Sequence, residues 1–256
     1  MSELVDCINN LSAQDIVKSI AKTANGTPFY INTMGLSSGI LPTDLSGLVL
    51  WLRGDLGITL NGSDVAYWAD QGPAGYDFQQ LTPANQPSYT VAGLDNNPIV
   101  TFTAANSESM NAVIGDLNES TWHIFGVLNN CQYALGRNVG NKDVWGNVDP
   151  SSISWRGDVA AYTFNYPILS GWHLCETTID EVGAASNSWR NGVASASNPL
   201  GAEATEFDAL GKSRNGVAYA NGSMAEIIIY DNIKTGDDLQ ALKDYIASRY
   251  ISLTIS

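Results

Sequence analysis

From Gly47 onward the chain is a succession of short apolar runs of strand length, separated by Gly, Asn, Asp and Pro. Residues 133–135, 144–145, 153–155 and 160–164 follow one another at intervals of about ten residues, a cadence that argues for an all-β sandwich rather than an α/β fold. The run 48–52, Leu-Val-Leu-Trp-Leu, has no polar face and suits a strand covered on both sides. Residues 58–60 and 65–68, joined through Asn61-Gly62, predict a hairpin. Pro98 opens a strand over 99–103. Residues 122–128 put Trp122, Ile124, Gly126 and Leu128 on one face and His123, Phe125 and Val127 on the other, as a central strand requires. Strands at 172–178 and 186–190 follow, the latter running into an Asn191-Gly192 turn, and 226–230 is the last.

Composition bounds the rest. A chain of 256 residues with 44% apolar content and 24 glycines can bury one large core and carry an appendage. The net charge is −14, with 12 Lys and Arg and no basic cluster, which excludes a nucleic-acid role because phosphate neutralisation needs a basic face. No apolar run reaches the length of a membrane-spanning helix, so no membrane partner is expected. The N-terminus lacks a secretory-signal pattern, and release by cell lysis is the expected route if the protein works outside a cell. Cys7, Cys131 and Cys175 have no metal-type spacing and are expected as reduced thiols, with a Cys131–Cys175 bridge as the alternative.

Two helices are predicted. Residues 12–15 resemble a capping box, and Ile16, Val17 and Ile20 place an apolar stripe on a short helix ending near Asn25-Gly26. Residues 27–42 are polar and Gly/Ser-rich, so 1–45 reads as an arm separate from the domain 46–256. At the other end Thr235 and the two aspartates after Gly236 cap a helix whose Leu239, Leu242, Ile246 and Tyr250 recur at helical spacing. That helix is expected to close an open end or edge of the sandwich.

Over residues 46–250 the chain resembles the laminin-G-like, concanavalin-A-like jelly-roll domains common in secreted bacterial proteins and in bacteriophage virion proteins. The resemblance rests on Trp68-Ala69-Asp70 with Gly72 and Gly75, on Asn97-Pro98-Ile99-Val100 ending at Phe102, and on a final strand followed by a short helix. It implies a two-sheet antiparallel jelly-roll sandwich.

The resemblance also frames the chemistry. Glycan-cleaving relatives carry Glu-x-Asp-x-x-Glu along one strand. The nearest match is Glu206-Phe207-Asp208, where Gly211 replaces the second glutamate and removes the acid/base partner. Glu176, Asp180 and Glu181 are acids outside the pattern. His123 and His173 each follow a tryptophan inside an apolar run and are expected as satisfied core residues. Calcium, bound by several proteins of this fold, would draw on Asp55, Asp64, Asp70 and Asp77, although Asp70 could equally bond turn N–H groups. Sugar recognition, the family's commonest use, points to Trp145, Trp155, Arg156, Asp158, Tyr162 and Tyr166 on the concave sheet and its rim loops. The Asn-x-Ser sequences at Asn61, Asn118 and Asn221 read as turns.

The expectation drawn from these features is a non-enzymatic virion surface protein, a capsid decoration or fibre component, in several symmetric copies. Leu4, Val5, Ile8, Leu11, Ile16, Val17 and Ile20 of the arm would dock on virion proteins. The alternative is a carbohydrate- or receptor-binding module, and weak binding of host-surface glycans fits either reading. No cofactor is required, calcium being the one considered.

Overall fold

The computed structural model describes residues 40–113, 117–137, 143–149, 152–156, 161–165, 171–180, 185–195, 205–213, 216 and 218–256, with the backbone of 21–22 and 28–29. Its first strands are β1 (Ala21–Lys22), β2 (Pro28–Phe29), β3 (Leu48–Arg53), β4 (Ile58–Asn61), β5 (Asp64–Trp68), β6 (Phe78–Gln79) and β7 (Ser88–Leu94). Then come β8 (Asn97–Phe102), β9 (Met110–Ala112), β10 (Leu117–Glu119), β11 (Thr121–Asn129), β12 (Leu135–Gly136), β13 (Asp143–Asp149) and β14 (Ser152–Arg156). The last are β15 (Ala161–Asn165), β16 (Trp172–Asp180), β17 (Ala185–Arg190), β18 (Val193–Ala194), β19 (Thr205–Phe207), β20 (Ala209–Leu210) and β21 (Gly222–Tyr230), followed by the helix α1 (Gly236–Arg249).

Antiparallel pairings trace two layers. The first runs β18–β17–β16–β11–β21–β3, with β8 taking over from β3 beside the start of β21. The second runs β15–β14–β13–β12–β20–β9–β6–β5–β4. They meet at a corner where Asp64 of β5 pairs with Ser88 of β7, itself hydrogen-bonded to β8. The hairpin β4–β5 turns at Gly62, whose φ of +70° suits the first central position of a two-residue loop. The chain is thus an all-β, two-layer antiparallel sandwich of jelly-roll type with a C-terminal helix.

The inter-layer core draws Leu50, Leu52, Trp122, Ile124, Ile179, Ile227 and Ile229 from the first layer and Trp68, Phe78, Met110, Leu135, Trp145 and Leu210 from the second. Strand β11 is central, as its sequence predicts, with β16 and β21 on either side. Its other face, Phe125 and Val127, joins Trp51, Leu174, Ile228 and Tyr230 in a second apolar cluster. Helix α1 covers that cluster with Leu242, Tyr245 and Ile246, each of the two aliphatic side chains contributing about 1.5–3 kcal/mol by burial.

Three expectations are corrected. Helix α1 lies across a sheet face, not at an end or edge, because β21 and β11 are apolar on both sides and need a cover on each. Thr235 does stand at the N-cap of α1, but its side chain makes no capping hydrogen bond, and Asp237 and Asp238 in the first turn face the positive end of the helix dipole. In the arm, residues 21–22 pair with 28–29, Ala21 opposite Phe29 and Lys22 opposite Pro28. Residues 21–22 are thus strand rather than helix, so the short helix expected to end near Asn25-Gly26 does not extend through them. Leu4, Val5, Ile8, Leu11, Ile16, Val17 and Ile20 lie outside the described residues. Among the described residues, the arm side meets the sandwich at Pro42, whose carbonyl accepts the Tyr230 hydroxyl at 2.9 Å, and at buried Leu45.

Candidate functional site

Each layer has one face turned to the core and one turned away. On the first layer the outward face carries two glutamates, and α1 closes over both. Glu226, 1% exposed, accepts the Trp51 indole N–H at 2.6 Å and the Tyr245 hydroxyl at 2.7 Å on Oε1, and the Tyr250 hydroxyl at 2.8 Å on Oε2. Arg249 Nε stands 3.6 Å away and its Nη2 reaches Asp55 at 2.8 Å. Burial raises the pKa of Glu226, and the three hydrogen bonds offset only part of that.

Glu176, 2% exposed, sits across β11 and meets His123 Nε2 at 3.0 Å, with Lys243 Nζ 3.6 Å from its second oxygen. The backbone N–H of Lys234 donates to His123 Nδ1 at 2.9 Å, so the ring proton belongs on Nε2, directed at Glu176. Burial lowers the pKa of His123 despite the carboxylate beside it. This is the satisfied core histidine that the sequence suggests. Neither glutamate lines a groove.

The Trp68-Ala69-Asp70 segment builds a turn. Asp70 accepts the backbone N–H of Trp51 at 2.8 Å and of Gly72 at 2.7 Å on Oδ1, and of Tyr76 at 3.0 Å on Oδ2. Asp77 accepts the Asp70 N–H at 2.8 Å and the Tyr67 hydroxyl. Asp55 is held by Arg53 at 2.7 Å as well as by Arg249, and Asp64 by the Ser63 hydroxyl at 3.2 Å. The four aspartates considered for calcium thus point to protein partners, and no group of three or more His, Cys, Asp or Glu suited to a metal occurs among the described residues. A cleft of about 300 Å³ beside this turn is lined by Thr43, Leu45, Gly47, Leu48, Gln71, Gly72 and Pro73, none of them ionisable.

The predicted sugar-binding residues divide. Trp145 is a correction: it is 3% exposed and belongs to the core. Val144 pairs with Trp155 and Gly146 with Ser154, leaving Trp145 as the extra residue of a β-bulge with φ +56°. The bulge turns its ring onto Gly126 of β11, and its indole N–H donates to Thr177 Oγ1 at 3.0 Å. Trp155 and Tyr162 are direct register partners on β14 and β15. Their row continues through Val144 to Leu135, Leu210 and Met110, all three in the core. Arg156 stands one position on, in the alternate row. Asp158 and Tyr166 lie outside the described residues.

That alternate row is what reading by runs misses. It crosses the second layer as Thr59, Tyr67, Gln79, Asn111, Ala209, Gly136, Asp143 and Arg156, each paired with the next. Trp68 and Phe78 beside it point into the core, so Tyr67 and Gln79 take the opposite face, where both are half-buried. Lys212 Nζ donates to Asn111 Oδ1 at 2.6 Å, which orients the amide with its NH₂ on the other side. Alternation around Trp68 was the available signal.

Cys131 and Cys175 are free, buried thiols, so the bridge considered between them is not formed. Burial pushes both pKa values up, that of Cys175 to about 11.

No known family model matches the chain, and no curated protein matches it. Among solved structures, domain 4 of AbnA, an extracellular arabinanase from Geobacillus stearothermophilus in complex with arabinotriose, is similar at 13% identity and TM-score 0.51, over 77% of this chain and 97% of that domain. Trypanosoma rangeli sialidase in complex with the inhibitor DANA is similar at 13% identity and TM-score 0.50, over 84% of this chain and 37% of that one. An arabinofuranosidase complexed with arabinofuranosyl-alpha-1,2-xylobiose has 12% identity and TM-score 0.49, over 81% and 60%. The chain therefore spans less than two thirds of each of the two larger enzymes. The first two matches agree with the antiparallel β-sandwich described above, and at such identities the likeness is one of fold.

Proposed function

We propose that the sandwich is a carbohydrate-binding module without catalysis. The observation that carries this reading is the domain-scale likeness to arabinanase domain 4, which extends over 97% of a unit whose structure holds arabinotriose. The sialidase match covers 37% of a larger chain, and its activity stays with that chain. The non-catalytic reading is supported by the fate of the acids: Glu176 and Glu226 are hydrogen-bonded beneath α1, on the face a substrate does not reach. Hydrolysis with retention needs two carboxyl groups about 5 Å apart in an open groove. The test is a glycan array with the full chain, followed by a reducing-end assay on whatever is retained. Retention of a polysaccharide class with no release of reducing ends is expected; no retention, or steady hydrolysis, overturns the reading.

The virion setting, with residues 1–45 as an anchor on virion proteins and several symmetric copies, is a separate proposal resting on the sequence. Because Pro42 and Leu45 belong to the body, its test compares full-length chain with a 40–256 fragment on particles lacking this protein. Attachment by the full chain alone is expected.

A further inference from the structure

The sandwich has two outward sheet faces, and α1 closes one of them. We infer that the other, the outer face of the second layer, carries the glycan-binding surface, and that its working row is Tyr67, Gln79 and Asn111, all half-buried there. This inference rests on the carbohydrate-binding reading and names its site and ligand class.

Three observations converge on the row. Register places the residues side by side on consecutive strands, Tyr67 opposite Gln79 and Gln79 opposite Asn111. At the usual strand spacing Tyr67 and Asn111 are about 10 Å apart, room for a short oligosaccharide laid across the strands. Their chemistry is complementary to a sugar. Tyr67, tethered by its hydroxyl to Asp77, offers a half-buried ring in a held orientation for the apolar face of a pyranose or furanose. The amides of Gln79 and Asn111 each supply donors and an acceptor, as neighbouring hydroxyls require, and Lys212 sets the Asn111 amide.

The charge of the chain selects among sugars. At −14 overall, the molecule repels polyanions, and the row is built of an aromatic and two neutral amides. The ligand class is therefore a neutral oligo- or polysaccharide rather than a uronic-acid or sialic-acid polymer.

The experiment is native affinity electrophoresis of the full chain in gels containing arabinan, xylan, mixed-linkage β-glucan or polygalacturonate. Isothermal titration with oligosaccharides of the retarding polymer then gives affinities. Wild type is expected to be retarded by a neutral polymer and not by polygalacturonate. Tyr67→Ala and the Gln79→Ala/Asn111→Ala pair are expected to weaken binding about tenfold or more, the worth of one aromatic contact or a few hydrogen bonds. Tyr67→Phe keeps the ring and should retain most of the affinity, which separates stacking from folding; near-ultraviolet circular dichroism checks each variant. If wild type binds and the row variants bind as tightly, the site is wrong while the carbohydrate-binding reading stands. Retardation by polygalacturonate alone overturns the neutral class. If wild type binds none of the polymers in the gels or on the array, both fall.

Discussion

The indole N–H of Trp51 donates to Glu226 Oε1 at 2.6 Å, and the Tyr245 hydroxyl reaches the same oxygen at 2.7 Å. The bond joins β3 to β21, and the tyrosine brings α1 to both. Tyr250, just past the helix, takes the other oxygen at 2.8 Å. One buried carboxylate thus ties the first strand of the sandwich, its last strand and its closing helix. Glu226→Ala would strand three donors, at about 1–3 kcal/mol each, and is expected to cost about 3 kcal/mol or more in urea denaturation. Glu226→Gln keeps one acceptor and should cost clearly less.

The same residue predicts a pH dependence. Its folded pKa lies above the ordinary value of 4.5, so the folded state holds the proton more tightly than the unfolded chain. The stability from this group is fully present below pH 4.5 and is lost as pH rises through the folded pKa. Thermal denaturation of wild type and Glu226→Gln from pH 4 upward should show the difference between them shifting in that direction. A pH-independent difference would show that Glu226 does not titrate as described.

His123 acts with the opposite sign. Its folded pKa is held below 6.5, so the unfolded chain binds the proton first and stability is lost as pH falls below that value. Glu176, Lys243 and Lys234 surround the ring, and all are retained in His123→Asn. The variant is expected to be less stable at pH 7.5, with the gap to wild type narrowing toward pH 5.5, as measured by melting temperature.

Gly126 is the place where the core admits Trp145. A Cβ there would lie 2.6 Å from the indole ring, inside a central strand with neighbours on both sides. Gly126→Ala is expected to cost about 1–3 kcal/mol, the usual penalty for overpacking, and to shift tryptophan fluorescence. An unchanged spectrum and midpoint would mean that the ring sits elsewhere.

Asp70 organises its turn through three backbone N–H groups, and burial raises its pKa despite them. Asp70→Ala should cost about 2–3 kcal/mol, with Asp70→Asn intermediate because one oxygen remains. Calorimetric melting checks the order. Added calcium should not change that order if the aspartate serves the turn alone.

Much of the architecture was legible in local pattern. The two-residue alternation of β11, the apolar run of β3 and the helical spacing of Leu242 and Ile246 each carried their element, because strand and helix faces are written into neighbouring residues. Where reading failed, the missing information was a partner. Trp145 looked like a free aromatic until a bulge turned it over Gly126. Tyr245 went unnoticed because its role depends on Glu226, nineteen positions away. The row of Tyr67, Gln79 and Asn111 comes from three short strands whose order in the layer no local pattern records.

The sequence by itself determined an all-β sandwich with a terminal helix, since period-two burial and turn residues act over a few positions. Only the tertiary structure decided which outward face α1 closes and which aromatics belong to the core. Those outcomes depend on register and on contacts between segments more than a hundred residues apart, such as Trp51 with Glu226, and register is set by the whole sheet at once.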